Sequence, residues 1–219
     1  MTRNITIILD HWDLFAIGLF NTIWICVVSA VLSVFLSAFV AMGMMAVSLV
    51  LKRSMRFVAD LIRSMPFLLL AYILYYVLPE FSIRLSSWTT GLLALVIYNT
   101  AYFAEILRGA WSHLPADQEE AAKAFGYSRP RRFVRIIAPQ ILIGAAPVLG
   151  NQMIAIIKDS ALLMIITIPE LTFAANSVQS RYFIPLESLI LAAALYWMLC
   201  RGIEVVVGRL ERVTAIRGT

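Results

Sequence analysis

Between Asp13 and Lys52 the chain carries no charged residue, an uninterrupted run of 38 residues from Leu14 to Leu51. One helix needs only about 20 such residues to cross a bilayer. Two readings compete: one long, tilted helix running past the membrane face, or a hairpin of two short spans. A hairpin needs a turn, and the middle of the run has neither proline nor a polar turn cluster. It does have Thr22, Cys26, Ser29, Ser33, Ser37 and Ala41 at spacings of three and four. That spacing lines small residues along one helical face, suited to close packing against a neighbouring helix. A single helix is the expectation.

The rest of the chain supports a membrane setting. Of 219 residues, 61% are hydrophobic and only 14% charged, with a mean hydropathy of +0.85. A soluble core of this length cannot hide that much apolar surface, so lipid is the solvent for much of it. The net charge of +5 does not point to nucleic acid, because Lys and Arg cluster at the ends of apolar runs. Cys26 and Cys200 are isolated in apolar runs and suggest neither a disulfide framework nor a metal site. His11 and His113 lie outside the centres of those runs, which disfavours a haem-carrying redox subunit. The N-terminal segment sets Arg3 against Asp10 and Asp13 and lacks a signal peptide's positive region, so the first apolar run should remain as a span.

After the long run, Phe57, Val58, Leu61, Ile62 and Met65 fall on one helical face and Arg53, Arg56, Asp60 and Arg63 on another. The 14 residues from Pro66 to Pro79 make roughly 21 Å of helix, too short to cross alone. A second span must recruit part of the amphipathic turn before it. Trp88 to about Arg108 reads as a third span. A fourth runs from about Ile136 to Ile157, kinked or irregular at Pro139 and Pro147. The eight residues Ala161 to Ile168 read as a re-entrant or interfacial piece. Ile184 to Cys200 supplies the last span.

The expected fold is therefore all-α and polytopic, with five transmembrane helices. Five spans put the two ends on opposite sides. One side collects 14 of the Lys and Arg residues, including Lys52, Arg53, Arg129 to Arg135, Arg212 and Arg217. The other has 4: Arg3, Arg84, Lys158 and Arg181. This places the N-terminus outside and the C-terminus in the cytoplasm. The hairpin alternative would give six spans and put Arg3 on the side of Lys52.

The loop between the third and fourth spans, about residues 113–136, is the most informative stretch. Asp117 can cap a short helix, with Glu120 closing a capping box. Gly126 suits a left-handed stop, and Ser128 with Pro130 starts a second short helix toward Pro139. Helices this short need a docking partner to persist. The residues alone leave two options open: an amphipathic loop on lipid headgroups, helped by Arg129, Arg131, Arg132 and Arg135, or a knob that docks on protein.

Glu120-Ala121-Ala122, three residues, Gly126, nine residues, Ile136, one residue and Ala138-Pro139 resemble the "EAA" motif of ABC-importer permeases, with Ala138 where the motif has Leu. Gly18 to Thr22, Arg63-Ser64-Met65-Pro66, Tyr102 to Gly109, Lys158 to Leu162 and Pro169-Glu170-Leu171 are similar, in order and spacing, to segments of the polar-amino-acid permeases. The likeness is greatest to those for histidine, glutamine and opines. Ser64 replaces a usual Gly, and Leu70 stands where many members have Gln; if that Gln lines their pathway, the solute contacts differ here.

The resemblance implies that residues 1–219 form one type I ABC-importer-like transmembrane domain, multi-pass in the cytoplasmic (inner) membrane of a bacterium. Its partners would be a second permease subunit, the same or homologous, a pair of cytoplasmic ATP-binding subunits, an external solute-binding protein and an amino-acid-like solute. Asp117 to Phe125 would be the coupling helix, with Asp117, Glu120, Ala121, Ala122 and Gly126 as the ATPase-coupling residues. The chain has no Walker loop. ATP and Mg would be bound by the partner ATPase, with no cofactor, catalytic residue or metal in this chain.

For the solute path, Asn99 and Thr100 fall at mid-membrane and Asn151 and Gln152 in the outer half of the fourth span. Asp159, Ser160 and Glu170 lie on the outer side, where they could meet a cationic or zwitterionic solute. Polar groups at such depth face a cavity or bond between helices, and both readings stand. The rival function is an ion-gradient-driven secondary transporter or channel, although no internal repeat or charged mid-span residue supports it.

Overall fold

The long uncharged run folds as one helix rather than a hairpin. The computed structural model describes residues 2–45 and 48–217, with side chains described at all of these except 2, 116 and 210–217, so Arg212 and Arg217 of the charge count lie outside the described side chains. A short α1 (Thr2–Asp10) leads into α2 (Trp12–Met44). At 33 residues, α2 is about 50 Å long, well beyond a 30 Å hydrocarbon core. The small-residue stripe is buried, with Thr22, Ser29, Ser33, Ser37 and Ala41 fully covered, largely against α5 (Ser87–Ser112). Ser33 donates to the Val96 carbonyl of α5 at 3.3 Å, while Ser29 and Ser37 donate back to Cys26 and Val34. The hydroxyls are thus satisfied without water. Ile17, Phe20, Val31 and Phe35 are exposed.

The expected helix to Leu51 stops short. Ser48 is the N-cap of α3 (Leu49–Ser64), its oxygen accepting the Leu51 N–H at 3.5 Å, so Leu49 to Leu51 belong to the next helix. Hydropathy does not register the break, because Ser48 leaves the run uncharged. Met55, Ala59 and Ile62 pack toward α5, and Phe57, Val58 and Leu61 are exposed.

Met65 is extended (φ −96°, ψ 150°), as a residue before proline must be. The chain then bends by 101° into the helical stretch Phe67–Phe81. That stretch begins as α4 (Phe67–Tyr72) and passes through a π-turn (Ile73–Val77) and a 3-10 turn (Leu78–Phe81). A second π-turn (Phe133–Ile137) lies between α7 (Arg129–Arg132) and α8 (Ala138–Gly144). Both π-turns end two residues before a proline, Pro79 or Pro139. Proline lacks an N–H and clashes with the carbonyl four residues back, and the wider turn relieves this. In the second, the Ala138 N–H reaches back five residues to the Phe133 carbonyl.

The fourth span differs from expectation at both ends. It begins at Ala146, because the chain breaks at Ala145 between α8 and α9 (Ala146–Ser160). It also continues as a 3-10 turn (Ala161–Ile166), ending where Thr167 adopts a left-handed conformation (φ 63°). Ala161 to Ile166 is therefore the end of the span and not a re-entrant piece. Its Leu163 and Ile166 are buried in the main core with Ile25, Phe67, Leu95 and Phe103. Short α10 (Leu171–Tyr182) and long α11 (Pro185–Arg217) complete the chain.

The fold is all-α, with no strand among the described residues. Among the described residues, four helical stretches are long and apolar enough to span a bilayer: Trp12–Met44, Ser87–Ser112, Ala146–Ile166 and Pro185–Arg209. The bent pair Leu49–Ser64 and Phe67–Phe81 is apolar and long enough only when taken together, as a broken span or a re-entrant loop, which makes four to five candidate spans.

Candidate functional site

Past Ser112 the chain leaves the bundle as α6 (Ala116–Ala124), which packs against α7 and the second π-turn. Pro115, not Asp117, occupies the N-cap position, and no side chain caps the helix. The expected Asp117–Glu120 box is absent because the helix begins two residues too early for Asp117 to lie outside it. Asp117 and Glu119 instead sit in the first turn, where the helix dipole favours acids. Glu119 makes the ion pairs, to Lys123 at 3.5 Å and to Arg132 of α7 at 3.4 Å, and Glu120 is exposed.

The other end of α6 closes through its backbone. Gly126 has φ +72°; its N–H donates to Lys123 at 2.9 Å, and the Tyr127 N–H donates to Ala122 at 3.1 Å. This is a Schellman stop, which only a residue tolerant of the left-handed region allows. Ala122 is buried and Ala121 exposed. Phe125, just before the stop, is 83% exposed.

The polar residues singled out for the solute path do not converge. Asn99 is fully buried; its amide donates to the Leu95 carbonyl and its oxygen accepts from the Gln152 amide, each at 2.8 Å. Thr100, the next residue round the helix, lines an apolar pocket with Val40, Met55 and Ile62, its buried hydroxyl unpartnered. Asn151 lines a third region beside Glu204 and Val207 of α11. Asp159 is half-buried, and Ser160, fully buried, donates to its own helix at Ile157.

Glu170 anchors a separate junction. It is fully buried and caps α10 by accepting the N–H groups of Thr172 (2.8 Å) and Phe173 (2.7 Å). The Tyr196 hydroxyl of α11 donates to it at 2.5 Å. From α2, Thr22 accepts the Leu171 N–H at 3.1 Å, and Asn21 donates to the Pro169 carbonyl at 2.7 Å. Gly18 permits this approach, since an added Cβ would lie 3.0 Å from the Glu170 carbonyl oxygen. Burial pushes the Glu170 carboxyl above its ordinary range, opposed by the hydrogen bonds from Tyr196, Thr172 and Phe173.

This architecture has clear counterparts. The family described as "Binding-protein-dependent transport system inner membrane component" matches residues 33–214. The chain belongs to that family. It is thus the permease subunit of an ABC importer, and ATP hydrolysis falls to a separate subunit. The permease is 28% identical over 209 residues to the protein named Probable glutamine ABC transporter permease protein GlnM of Bacillus subtilis (strain 168), covering 95% of this chain and 97% of that one. It is 34% identical over 202 residues to the octopine transport system permease protein OccM of Rhizobium radiobacter, covering 86% and 82%. Among solved structures, it superimposes with a TM-score of 0.84 and 28% identity on an amino acid ABC transporter crystallised with histidines, covering 94% of this chain and 96% of that one. The fold is that of a type I importer transmembrane domain.

Two features of the permease escaped the sequence reading. Glu119 and Arg132 tie the loop helix down, and of this set only the four-residue spacing of Glu119 and Lys123 was a local signal. The bend before Pro66 is braced across helices: Tyr102 donates to the Arg63 carbonyl at 3.3 Å, and Arg63 lies 3.9 Å from Glu105, itself paired with Arg108.

Proposed function

We propose that this permease carries polar amino acids or amino-acid derivatives across the cytoplasmic membrane of a bacterium, its N-terminus outside and its C-terminus in the cytoplasm. The names of its relatives support that solute class, and the charge asymmetry supports the orientation. A cytoplasmic signal from a reporter fused after Arg3 would overturn the orientation. The permease works beside a second, identical or homologous permease, receives solute from an external binding protein, and takes its energy from a cytoplasmic ATPase pair. That pair binds the ATP and Mg.

The observation that carries the coupling assignment is the exposed α6 knob, closed at Gly126 and presenting Phe125. An exposed large aromatic on a short helix makes a good docking anchor. Asp117, Glu120, Ala121 and Gly126 form the coupling surface with it, and Ala122, buried beneath, holds the helix in place. For the solute, the Asn99–Gln152 pair is the candidate contact. Thr100, Asn151, Asp159, Ser160 and Glu170 lie apart from it and would each meet the solute at a separate point of its passage.

The test is co-purification of the cognate ATPase with this permease, wild type beside a version with residues 117–126 scrambled. Wild type retains the ATPase and the scrambled loop does not. If neither retains it while both insert in the membrane, the coupling assignment fails.

A further inference from the structure

The geometry points to a binding site for an anionic phospholipid in the cleft between the end of α2, the start of α3, the end of α5 and the Arg129–Ile137 segment. The lipid phosphate lies on Arg129 and Arg132, and an acyl chain runs along the apolar wall. The cleft holds about 380 Å³ and is walled by Phe39, Met42, Leu51, Met55, Trp111 and Phe133. Apolar surface of this kind is poorly served by water and well served by hydrocarbon. The cleft also sits where α2 and α5 run out, at Met44 and Ser112. Headgroups meet acyl chains at such a level.

The two guanidiniums lining the cleft have donors to spare. Arg129 gives one Nη to the Met45 carbonyl at 3.0 Å and is otherwise exposed. Arg132 reaches Glu119 and the Tyr127 carbonyl only at 3.4 Å each, and its buried Nε has no partner. A guanidinium offers five N–H donors in a fork that matches a phosphate. The surroundings are cationic as well: Lys52, Arg53 and Arg56 follow Leu51 along α3, and Arg131 and Arg135 flank Arg132. Glu119, the acid paired with Arg132, is shared with Lys123. Basic pockets between membrane helices at this depth suit anionic headgroups. A free phosphate would satisfy the arginines and leave the apolar wall bare, so the occupant is a lipid. Seated there, it joins the end of α2 to the segment on which α6 packs.

This site does not depend on the coupling assignment, and a failed ATPase co-purification leaves it standing. The test is native mass spectrometry of the purified full-length chain, exchanged into micelles holding equal amounts of phosphatidylglycerol and phosphatidylcholine. Wild type retains phosphatidylglycerol with a preference of roughly tenfold or more, as two basic contacts warrant. Arg129→Gln with Arg132→Gln brings the two lipids to parity. Met42→Trp, which fills the cleft and keeps both arginines, lowers retention of phosphatidylglycerol, so the reading does not hang on one variant's folding. Equal retention by wild type, or a preference that survives all three substitutions, overturns the site. Displacement of the lipid by millimolar glycerophosphoglycerol, which has the headgroup and no chains, overturns the lipid as occupant.

Discussion

Replacing Gly126 with valine isolates the backbone requirement of the coupling loop. Gly126 lies at φ +72°, and a Cβ added there would meet nothing within 4 Å. The substitution therefore removes no contact and creates no clash with another element; its whole cost is conformational. An L-residue held in the left-handed region costs about 1–2 kcal/mol, and a β-branched one sits at the upper end. That lowers the population of the closed turn roughly 5- to 30-fold relative to its open forms. The loss is felt because α6 has nine residues, too few to persist unaided, and its anchors are buried Ala122 and the Glu119–Arg132 pair. Apparent affinity for a partner scales with the competent fraction. The permease in nanodiscs, titrated with its ATPase, should bind more weakly as Gly126→Val, by up to about tenfold where the free loop is mostly open, with unchanged membrane insertion. Gly126→Asn, whose side chain is tolerated in the left-handed region, should stay within about twofold of wild type. Equal losses for both would mean that side-chain bulk at the interface, not φ, is what matters. No loss for either would refute the claim that this turn presents the helix.

Two further outcomes are expected. Asn99→Leu should alter solute affinity in reconstituted vesicles, because it strips the Gln152 amide of a 2.8 Å partner; unchanged affinity would reduce the pair to an interhelical bond worth on the order of 1 kcal/mol. Glu170, whose carboxyl burial holds above its ordinary range, binds its proton more readily folded than unfolded. Its contribution to stability is therefore full below the ordinary carboxylate pKa and is lost as pH rises through the folded value. Melting temperature should fall with pH across that window in wild type and fall less in Glu170→Gln, and parallel profiles would remove Glu170 as the cause.

Much of the fold was legible in the sequence because a lipid-facing helix must be apolar along its own length, so each span announces itself locally. The unbroken α2, its stripe from Thr22 to Ala41 and the left-handed stop at Gly126 all follow from spacing and residue type. Tertiary structure alone decided where Ser48 divides the uncharged run, and that Ala161 to Ile166 extends the fourth span. It also decided which polar groups meet. Asn99 finds Gln152 53 positions away, and Asn21 finds the Pro169 carbonyl 148 positions away. Such pairings depend on how each helix is rotated about its axis and set against its neighbours. Periodicity along one helix fixes its faces and leaves that rotation to be settled by packing.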